Sequence, residues 1–172
     1  MIKSLLKVLV NFVLFVALQV LVLNNIHLFK IVTPFLYLYI IVKIPINLTR
    51  VQVIWISFLT GLTIDIFSNT MGMHAAACTL AGMFRNPLMD SFVDREMIEG
   101  STPSYHTLGT GAFMRYAFSL VLLHHVALYL IESVSFFDPL YLILRIVCSV
   151  VLTTLCIFIV EAFNLSGKGG ES

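Results

Sequence analysis

Ionisable side chains inside long apolar segments are the candidate functional residues of this sequence. Asp65 is the clearest of them, because it follows Ser57 and Gly61 at four-residue steps along one face of a predicted helix. A carboxylate in such a segment is costly to bury and marks a candidate functional site. The stripe of small residues that ends in Asp65 predicts that this face contacts another helix.

Two further predicted helices supply possible partners at a similar depth. His125 and Glu132 are seven residues apart and so share a helical face, and Arg145 lies near the start of the last apolar segment. His74 begins another predicted helix close to Asp65 in the sequence. The sequence therefore predicts a polar cluster that joins these residues at one end of the helices.

The predicted cluster has three interpretations. In the first, Arg145 neutralises Asp65 or Glu132 and the ion pair sets the packing register of the helices. In the second, the cluster lines a pocket for a small ligand. In the third, Arg145 or Glu132 simply reaches the polar membrane interface.

The other candidate chemistry is weak. His124 and His125 are adjacent, so a helix points them about 100° apart, unlike two histidines four residues apart that bind one metal ion. The three cysteines, Cys78, Cys148 and Cys156, lie in apolar segments and form no CxxC pair. Nucleophile-elbow and phosphate-loop motifs are absent from the sequence. We expect no enzymatic activity, no metal and no cofactor.

Composition places the chain in a membrane. Of its 172 residues, 59% are hydrophobic and 11% charged, whereas soluble domains average about 45–50% and about 25%. The mean hydropathy is +1.00. A formal net charge of +1 provides no basic surface for nucleic acid. The sequence predicts an all-α, polytopic membrane protein in contact with lipid.

At about 20 residues per helical span, the apolar segments predict a bundle of six transmembrane helices in a single domain, 1–172. The predicted spans are approximately 5–23, 28–46, 51–67, 73–84, 112–131 and 140–163.

The basic residues predict the topology. If the amino terminus is cytoplasmic, eight of the ten basic residues flank the cytoplasmic side, as the positive-inside rule requires. Both termini would then be cytoplasmic, and the polar cluster would occupy the outer half of the membrane. The eight residues are Lys3, Lys7, Lys43, Arg50, Arg85, Arg95, Arg115 and Lys168.

The fourth predicted span is short and rich in small residues. About 12 residues at 1.5 Å each give roughly 18 Å, too short to cross a membrane in contact with lipid. Its small residues recur at four-residue spacing, which allows close helix approach, and Ser57 supplies a similar surface on the third span. The predicted packing residues are Ser57, Ala77, Cys78, Ala81 and Gly82.

The loop after the fourth span predicts a separate amphipathic helix over about 86–100. Asn86 would be its N-cap, Pro87 would occupy its first turn and Gly100 would end it. Its acidic residues would be repelled by an anionic membrane surface, so it either packs under the bundle or binds a cytoplasmic partner. Its apolar stripe includes Met89, Phe92, Val93 and Met97.

One segment resembles a known family. The stretch 61–65, Gly-Leu-Thr-Ile-Asp, followed by Ser68 and Gly72, resembles the G-L-x-x-D … G motif of MreD, a bacterial rod shape-determining membrane protein. Pro34 in the second span, the six-span layout and the short fourth span fit the same family, as does the stretch 102–113. The sharply defined part of the resemblance covers about 20 residues, and Gly61, Asp65 and Gly72 match the motif.

The resemblance implies a non-enzymatic role in the bacterial inner membrane. MreD-type proteins act with the single-span protein MreC in the side-wall elongation machinery, which includes the filament protein MreB, the glycosyltransferase RodA and its transpeptidase partner. It also implies a fold similar to the S components of energy-coupling-factor transporters. The alternative function is therefore a small-molecule-binding subunit of a transporter. Trp55, the single tryptophan, lies at the inner end of its span, away from such a pocket.

Overall fold

The computed structural model describes residues 2–21, 33–93, 101–133 and 138–166. Within these ranges the chain forms seven α-helices and no strand, so the prediction of an all-α protein is confirmed. The helices are α1 (Ile2–Leu21), α2 (Leu38–Val42), α3 (Arg50–Ser68), α4 (Met73–Asp90), α5 (Tyr105–Leu108), α6 (Thr110–Glu132) and α7 (Pro139–Ser166).

Three of the described helices are long and apolar enough to cross a membrane: α3, α6 and α7 as far as Phe163. Large apolar side chains cover their outer surfaces; Trp55 and Ile66 on α3, for example, are more than half exposed. Exposed apolar surface on this scale is unusual for a soluble monomer and suits contact with lipid. The helix α1 contributes a shorter apolar run, Phe12–Leu21.

The helix α4 lies at the centre of the bundle, between α3 and α6. Next to α6 lies α7, and α1 packs against α3 and α2. Because α3, α4, α6 and α7 alternate in direction, Asp65, His74, Glu132 and Arg145 share one end of the bundle, here called the Asp65 end. Lys43, Arg85 and Glu161 share the opposite end, here called the Glu161 end.

The predicted second span is not a continuous helix. Its residues 28–32 lie outside the described residues, and residues 33–37 are irregular or turn-forming before α2 begins. Pro34 has no N–H to donate and disfavours helix at the residue before it. Side chains replace the missing backbone bonds: Gln19 donates to the Pro34 carbonyl at 3.0 Å and accepts from the Leu36 N–H at 2.9 Å, and the Thr153 hydroxyl accepts from the Phe35 N–H at 3.1 Å. Non-helical backbone at membrane depth requires such internal partners.

The helix α4 continues past the point where a break was predicted. It runs from Met73 to Asp90, so the predicted fourth span, 73–84, and the start of the predicted helix 86–100 are one helix. Asn86 is buried and accepts a hydrogen bond from Arg85 at 2.8 Å, so it is not an N-cap. Pro87 lies within the last turn, where its missing N–H removes a single helical hydrogen bond. At 18 residues α4 is about 27 Å long.

The described part of the predicted apolar stripe packs against the bundle. Met89 is fully buried, and Phe92 and Val93 are partly buried against the core. The guanidinium of Arg115 lies 5.5 Å from the centroid of the Phe92 ring. Met97, like the rest of 94–100, lies outside the described residues.

Candidate functional site

The carboxylate of Asp65 binds the amino-terminal end of α4. It accepts hydrogen bonds from the backbone N–H groups of His74, at 3.1 Å, and Ala75, at 2.8 Å, and from the Thr70 hydroxyl. Its negative charge also faces the positive end of the helix dipole. Asp65 therefore joins the end of α3 to the start of α4. Arg145, which the sequence suggested as a possible ion-pair partner of Asp65, does not bind it.

Two glycines let the same hairpin close. An added Cβ at Gly61 would lie 2.6 Å from the Cα of Ala75, so α3 approaches the backbone of α4 at this point. Gly72 precedes α4 with a φ of 78°, a conformation that side chains disfavour. The residues of the G-L-x-x-D … G pattern thus all act within the α3–α4 hairpin.

The predicted packing residues line the contact faces of α4. An added Cβ at Gly82 would lie 2.7 Å from the Cβ of Ser57, so these two positions form a second close approach between α3 and α4. The others are fully buried: Ala77, Cys78 and Ala81. Small residues at four-residue spacing allow α4 to approach its neighbours closely.

Arg145 and Glu132 form an ion pair at the rim of the Asp65 end. Arg145 Nη1 lies 2.8 Å from Glu132 Oε1, and the side chains are 26% and 38% exposed. The guanidinium also lies 4.5 Å from the centroid of the Tyr129 ring, whose hydroxyl is 2.9 Å from the Ser149 Oγ. Of the two carboxylates considered as partners of Arg145, the structure brings it to Glu132.

A buried group of aromatic and histidine rings fills the bundle beneath this ion pair. The Tyr37 hydroxyl lies 2.8 Å from His74 Nδ1 and 3.0 Å from His124 Nε2. The Phe35 ring packs against five rings, with centroid distances between 5.2 and 6.3 Å. Those five rings belong to Tyr37, His74, His124, His125 and Tyr129.

His125 has different partners from those the sequence suggested. Its Nδ1 lies 2.8 Å from the Val121 carbonyl oxygen and its Nε2 lies 3.3 Å from the Thr153 hydroxyl. It shares the ring cluster with His74, but Glu132 is not among its hydrogen-bond partners. Sequence reasoning missed the hydrogen-bonding role of Tyr37 and His124. The signal that could have found them is the one that identified Asp65, because any polar side chain in an apolar segment needs an internal partner.

A second buried carboxylate lies at the Glu161 end. Lys43 Nζ is 3.1 Å from both carboxylate oxygens of Glu161, and the Tyr39 hydroxyl donates to Oε2 at 2.6 Å. The Tyr105 N–H donates to Oε1 at 3.3 Å. Burial raises the pKa of the Tyr105 hydroxyl, and the charge of Glu161 raises it further. Sequence reasoning did not select Glu161, although an ionisable residue in a predicted span is the signal it used for Asp65.

Arg85 is fully buried at the same end. Its guanidinium donates to the carbonyl oxygen of Ile41 at 3.2 Å, to that of Ile44, and to Asn86 Oδ1 at 2.8 Å. The Ile41 and Ile44 carbonyls lie in and just beyond the last turn of α2, where the helix dipole favours a positive charge. Arg85, predicted to flank the membrane, therefore stabilises the end of a short internal helix.

Comparison with known proteins adds no identification: the chain matches no family model, no curated protein and no solved structure. Among the residues that the structure describes, no group of three histidine, cysteine or acidic side chains is arranged to hold a metal ion.

Proposed function

We propose that this protein is a non-enzymatic scaffold of the side-wall elongation machinery in the bacterial inner membrane. In this role it binds the single-span protein MreC and connects it to peptidoglycan synthesis by RodA and its transpeptidase partner, along the MreB filament. It thereby maintains rod shape. The proposal includes six spans and cytoplasmic termini, and it rests on the motif shared with MreD proteins.

The proposal is supported by the contacts that the motif residues make within the α3–α4 hairpin. Gly61 and Gly72 permit the close α3–α4 hairpin, and Asp65 ties its two helices together. By fixing the relative position of α3 and α4, the motif defines the surface that these two helices present to their surroundings. Such a surface suits a partner's transmembrane helix, which associates in lipid through close packing.

The polar groups at the Asp65 end also favour a scaffold over a small-molecule carrier. A ligand pocket presents convergent polar groups that await a partner. Here the carboxylates of Asp65 and Glu132 and the hydroxyls of Tyr37 and Tyr129 already have partners within the chain. The Phe35 ring occupies the space between the histidines.

One observation favours the alternative, an S-component-like subunit of a transporter. His124 Nδ1 is buried and has no hydrogen-bond partner in the described part of the chain. A single unpaired nitrogen is a smaller feature than a pocket, so we retain the scaffold as the proposed function.

The test is affinity purification of the full-length, tagged protein from its native membrane in mild detergent, with the bound proteins identified by mass spectrometry. We expect the wild type to recover MreC. Recovery of a complex that contains a transport ATPase, without MreC, would refute the scaffold and identify a transporter subunit.

Two matched variants connect the test to the structure. Asp65→Asn weakens the bond between α3 and α4 and is expected to reduce the recovery of MreC. Glu132→Gln removes the same charge from the exposed ion pair and is expected to leave recovery unchanged. Equal recovery with both variants, at equal expression and helix content, would show that the hairpin does not shape the binding surface.

A further inference from the structure

A phenol hydroxyl lies between two imidazole rings inside the bundle. The Tyr37 oxygen is 2.8 Å from His74 Nδ1 and 3.0 Å from His124 Nε2. Tyr37 and His124 are fully buried, and His74 is nearly so. The hydroxyl carries one proton, so when both rings are neutral and it donates to one of them, it accepts from the other. The Cys78 thiol is a third hydrogen-bonding neighbour of this hydroxyl and can donate to its remaining lone pair. When the hydroxyl donates to a ring, the three side chains form a directional hydrogen-bonded chain with two polarities.

The unpaired nitrogen of His124 indicates which polarity is the resting one. His124 Nδ1 is buried without a hydrogen-bond partner among the described residues. When His124 Nε2 donates to the Tyr37 oxygen, His124 Nδ1 carries a lone pair. When His124 Nε2 accepts from the Tyr37 hydroxyl, His124 Nδ1 carries an N–H. Because a buried donor without a partner is the rarer and less favourable case, the lone pair is favoured. At rest, His124 Nε2–H then donates to the Tyr37 oxygen, and the Tyr37 hydroxyl donates to His74 Nδ1.

We propose that His124, Tyr37 and His74 form a proton relay that couples the binding of a proton at His124 Nδ1 to the charging of His74. When that nitrogen binds a proton from hydronium, the His124 Nε2 proton moves to the Tyr37 oxygen and the original Tyr37 proton moves to His74 Nδ1. The hydronium becomes water, His124 and Tyr37 end neutral, and His74 ends as an imidazolium. The reverse transfers restore the resting state. This relay is independent of the proposed scaffold role.

The surroundings favour the charge on His74 over His124. The backbone N–H of His74 donates to Asp65 Oδ1, so a carboxylate lies beside this residue, and a nearby negative charge stabilises an imidazolium. His124 is instead enclosed in the core beside His125, with ring centroids 5.5 Å apart. The charged or titratable side chains that face the relay are Asp65 from α3, Cys78 from α4, and His125, Tyr129 and Glu132 from α6. Arg145 from α7 contacts Glu132 and Tyr129.

His125 provides an internal reference for the relay. It neighbours His124 in the sequence and is equally buried. Its Nδ1 faces the Val121 carbonyl oxygen, which only accepts, so this nitrogen carries the proton. Its Nε2 then accepts from the Thr153 hydroxyl. This arrangement holds one tautomer, whereas the relay allows His124 to change between two.

The test is nitrogen-15 NMR of the full-length protein in lipid bilayers, with labelled histidine, while the pH is lowered. Ring nitrogen shifts report which nitrogen of each histidine carries a proton. We expect His74 to become doubly protonated and the His124 proton to move from Nε2 to Nδ1 with the same midpoint. His125 is expected to keep its proton on Nδ1 throughout.

Two variants show whether the Tyr37 hydroxyl carries the coupling. Tyr37→Phe is expected to abolish the tautomer change of His124, whereas Tyr129→Phe, which removes a hydroxyl from the same ring cluster, is expected to preserve it. The relay is wrong if His124 keeps its Nε2 proton while His74 charges, or if His74 never charges while the protein stays folded. It is equally wrong if Tyr37→Phe leaves the two changes coupled. Should that variant fail to fold, the wild-type titration still decides.

Discussion

The two ends of the bundle each hold an ion pair, and the pairs differ in burial and in what surrounds them. At the Glu161 end, Lys43 and Glu161 are only 12% and 2% exposed, and Tyr39 and Tyr105 add hydrogen bonds to the same carboxylate. At the Asp65 end, Arg145 and Glu132 are 26% and 38% exposed at the rim. The first pair therefore links α7 to two other segments, whereas the second joins the ends of neighbouring helices.

A carboxylate inside this bundle is stabilised by different means at each end. Glu161 has a cationic partner, but Asp65 is held by backbone N–H groups and a threonine hydroxyl. Removing a cation from a buried carboxylate leaves an uncompensated charge, while exposed pairs contribute little. The consequences of substitution should thus fall steeply from the Glu161 end to the rim of the Asp65 end.

Lys43→Met gives the largest expected effect. Glu161 would remain as a buried charge without its cation, and we expect the free energy of unfolding to fall by about 3 kcal/mol. The measurement is equilibrium unfolding in mixed micelles, followed by circular dichroism. Adding Glu161→Gln to the same chain should recover most of the loss, because glutamine carries no charge and its amide oxygen can still accept a hydrogen bond from Tyr39 or Tyr105. If the single variant is as stable as the wild type, the pair is not buried in the protein.

Gly61→Ala tests the backbone contact that positions Asp65. The added methyl group would collide with α4, and we expect a loss of about 2 kcal/mol in the same unfolding measurement. Gly111→Ala is the matched control, because nothing lies near its Cβ position, and it should stabilise α6 by about 0.5–1 kcal/mol. Equal stability of the two variants would contradict a close α3–α4 hairpin.

Asp65→Asn removes the negative charge at the start of α4 but keeps the size of the side chain. The amide oxygen can still accept one of the backbone N–H groups, so we expect a loss of about 1 kcal/mol. Asp138→Asn is the control, because Asp138 accepts from the Leu140 and Tyr141 N–H groups at an exposed helix start. Asparagine is an equally good N-cap there, and that variant should change the free energy of unfolding by only a few tenths of a kcal/mol.

Glu132→Gln should have the smallest effect. The ion pair with Arg145 is partly solvated, so we expect the free energy of unfolding to fall by less than about 0.5 kcal/mol. Raising the salt concentration should reduce even this difference, because exposed charges are screened. A loss as large as that of Lys43→Met would contradict the difference in burial between the two ion pairs.

The sequence predicted much of the site but not its pairing. Asp65, Glu132 and Arg145 were selected because charged residues in apolar segments need partners, and the structure gives each of them one. The same rule applied to Glu161 would have found the second carboxylate. Which acid Arg145 binds depends on how two helices pack, and the spacing along either helix contains no information on that.

Two local predictions failed because tertiary contacts outweighed local signals. Asn86 and Pro87 are a good helix start by residue type, but Arg85 and Asn86 are buried against the bundle and α4 continues through them. The second span is mostly apolar, yet Gln19 and Thr153 hold a non-helical segment at Pro34 and Phe35, before α2 begins. Both outcomes depend on side chains that are distant in the sequence.

Composition and helical spacing are sufficient to show that the chain is helical, that its surface is apolar enough for lipid, and which polar residues need internal partners. These conclusions depend on each segment alone. The packing of the helices sets the remaining contacts: Asp65 holds α4, Glu161 binds Lys43, and the Tyr37 hydroxyl joins two histidines. Those contacts depend on helix register and on an unwound backbone segment, which arise only when the helices pack together.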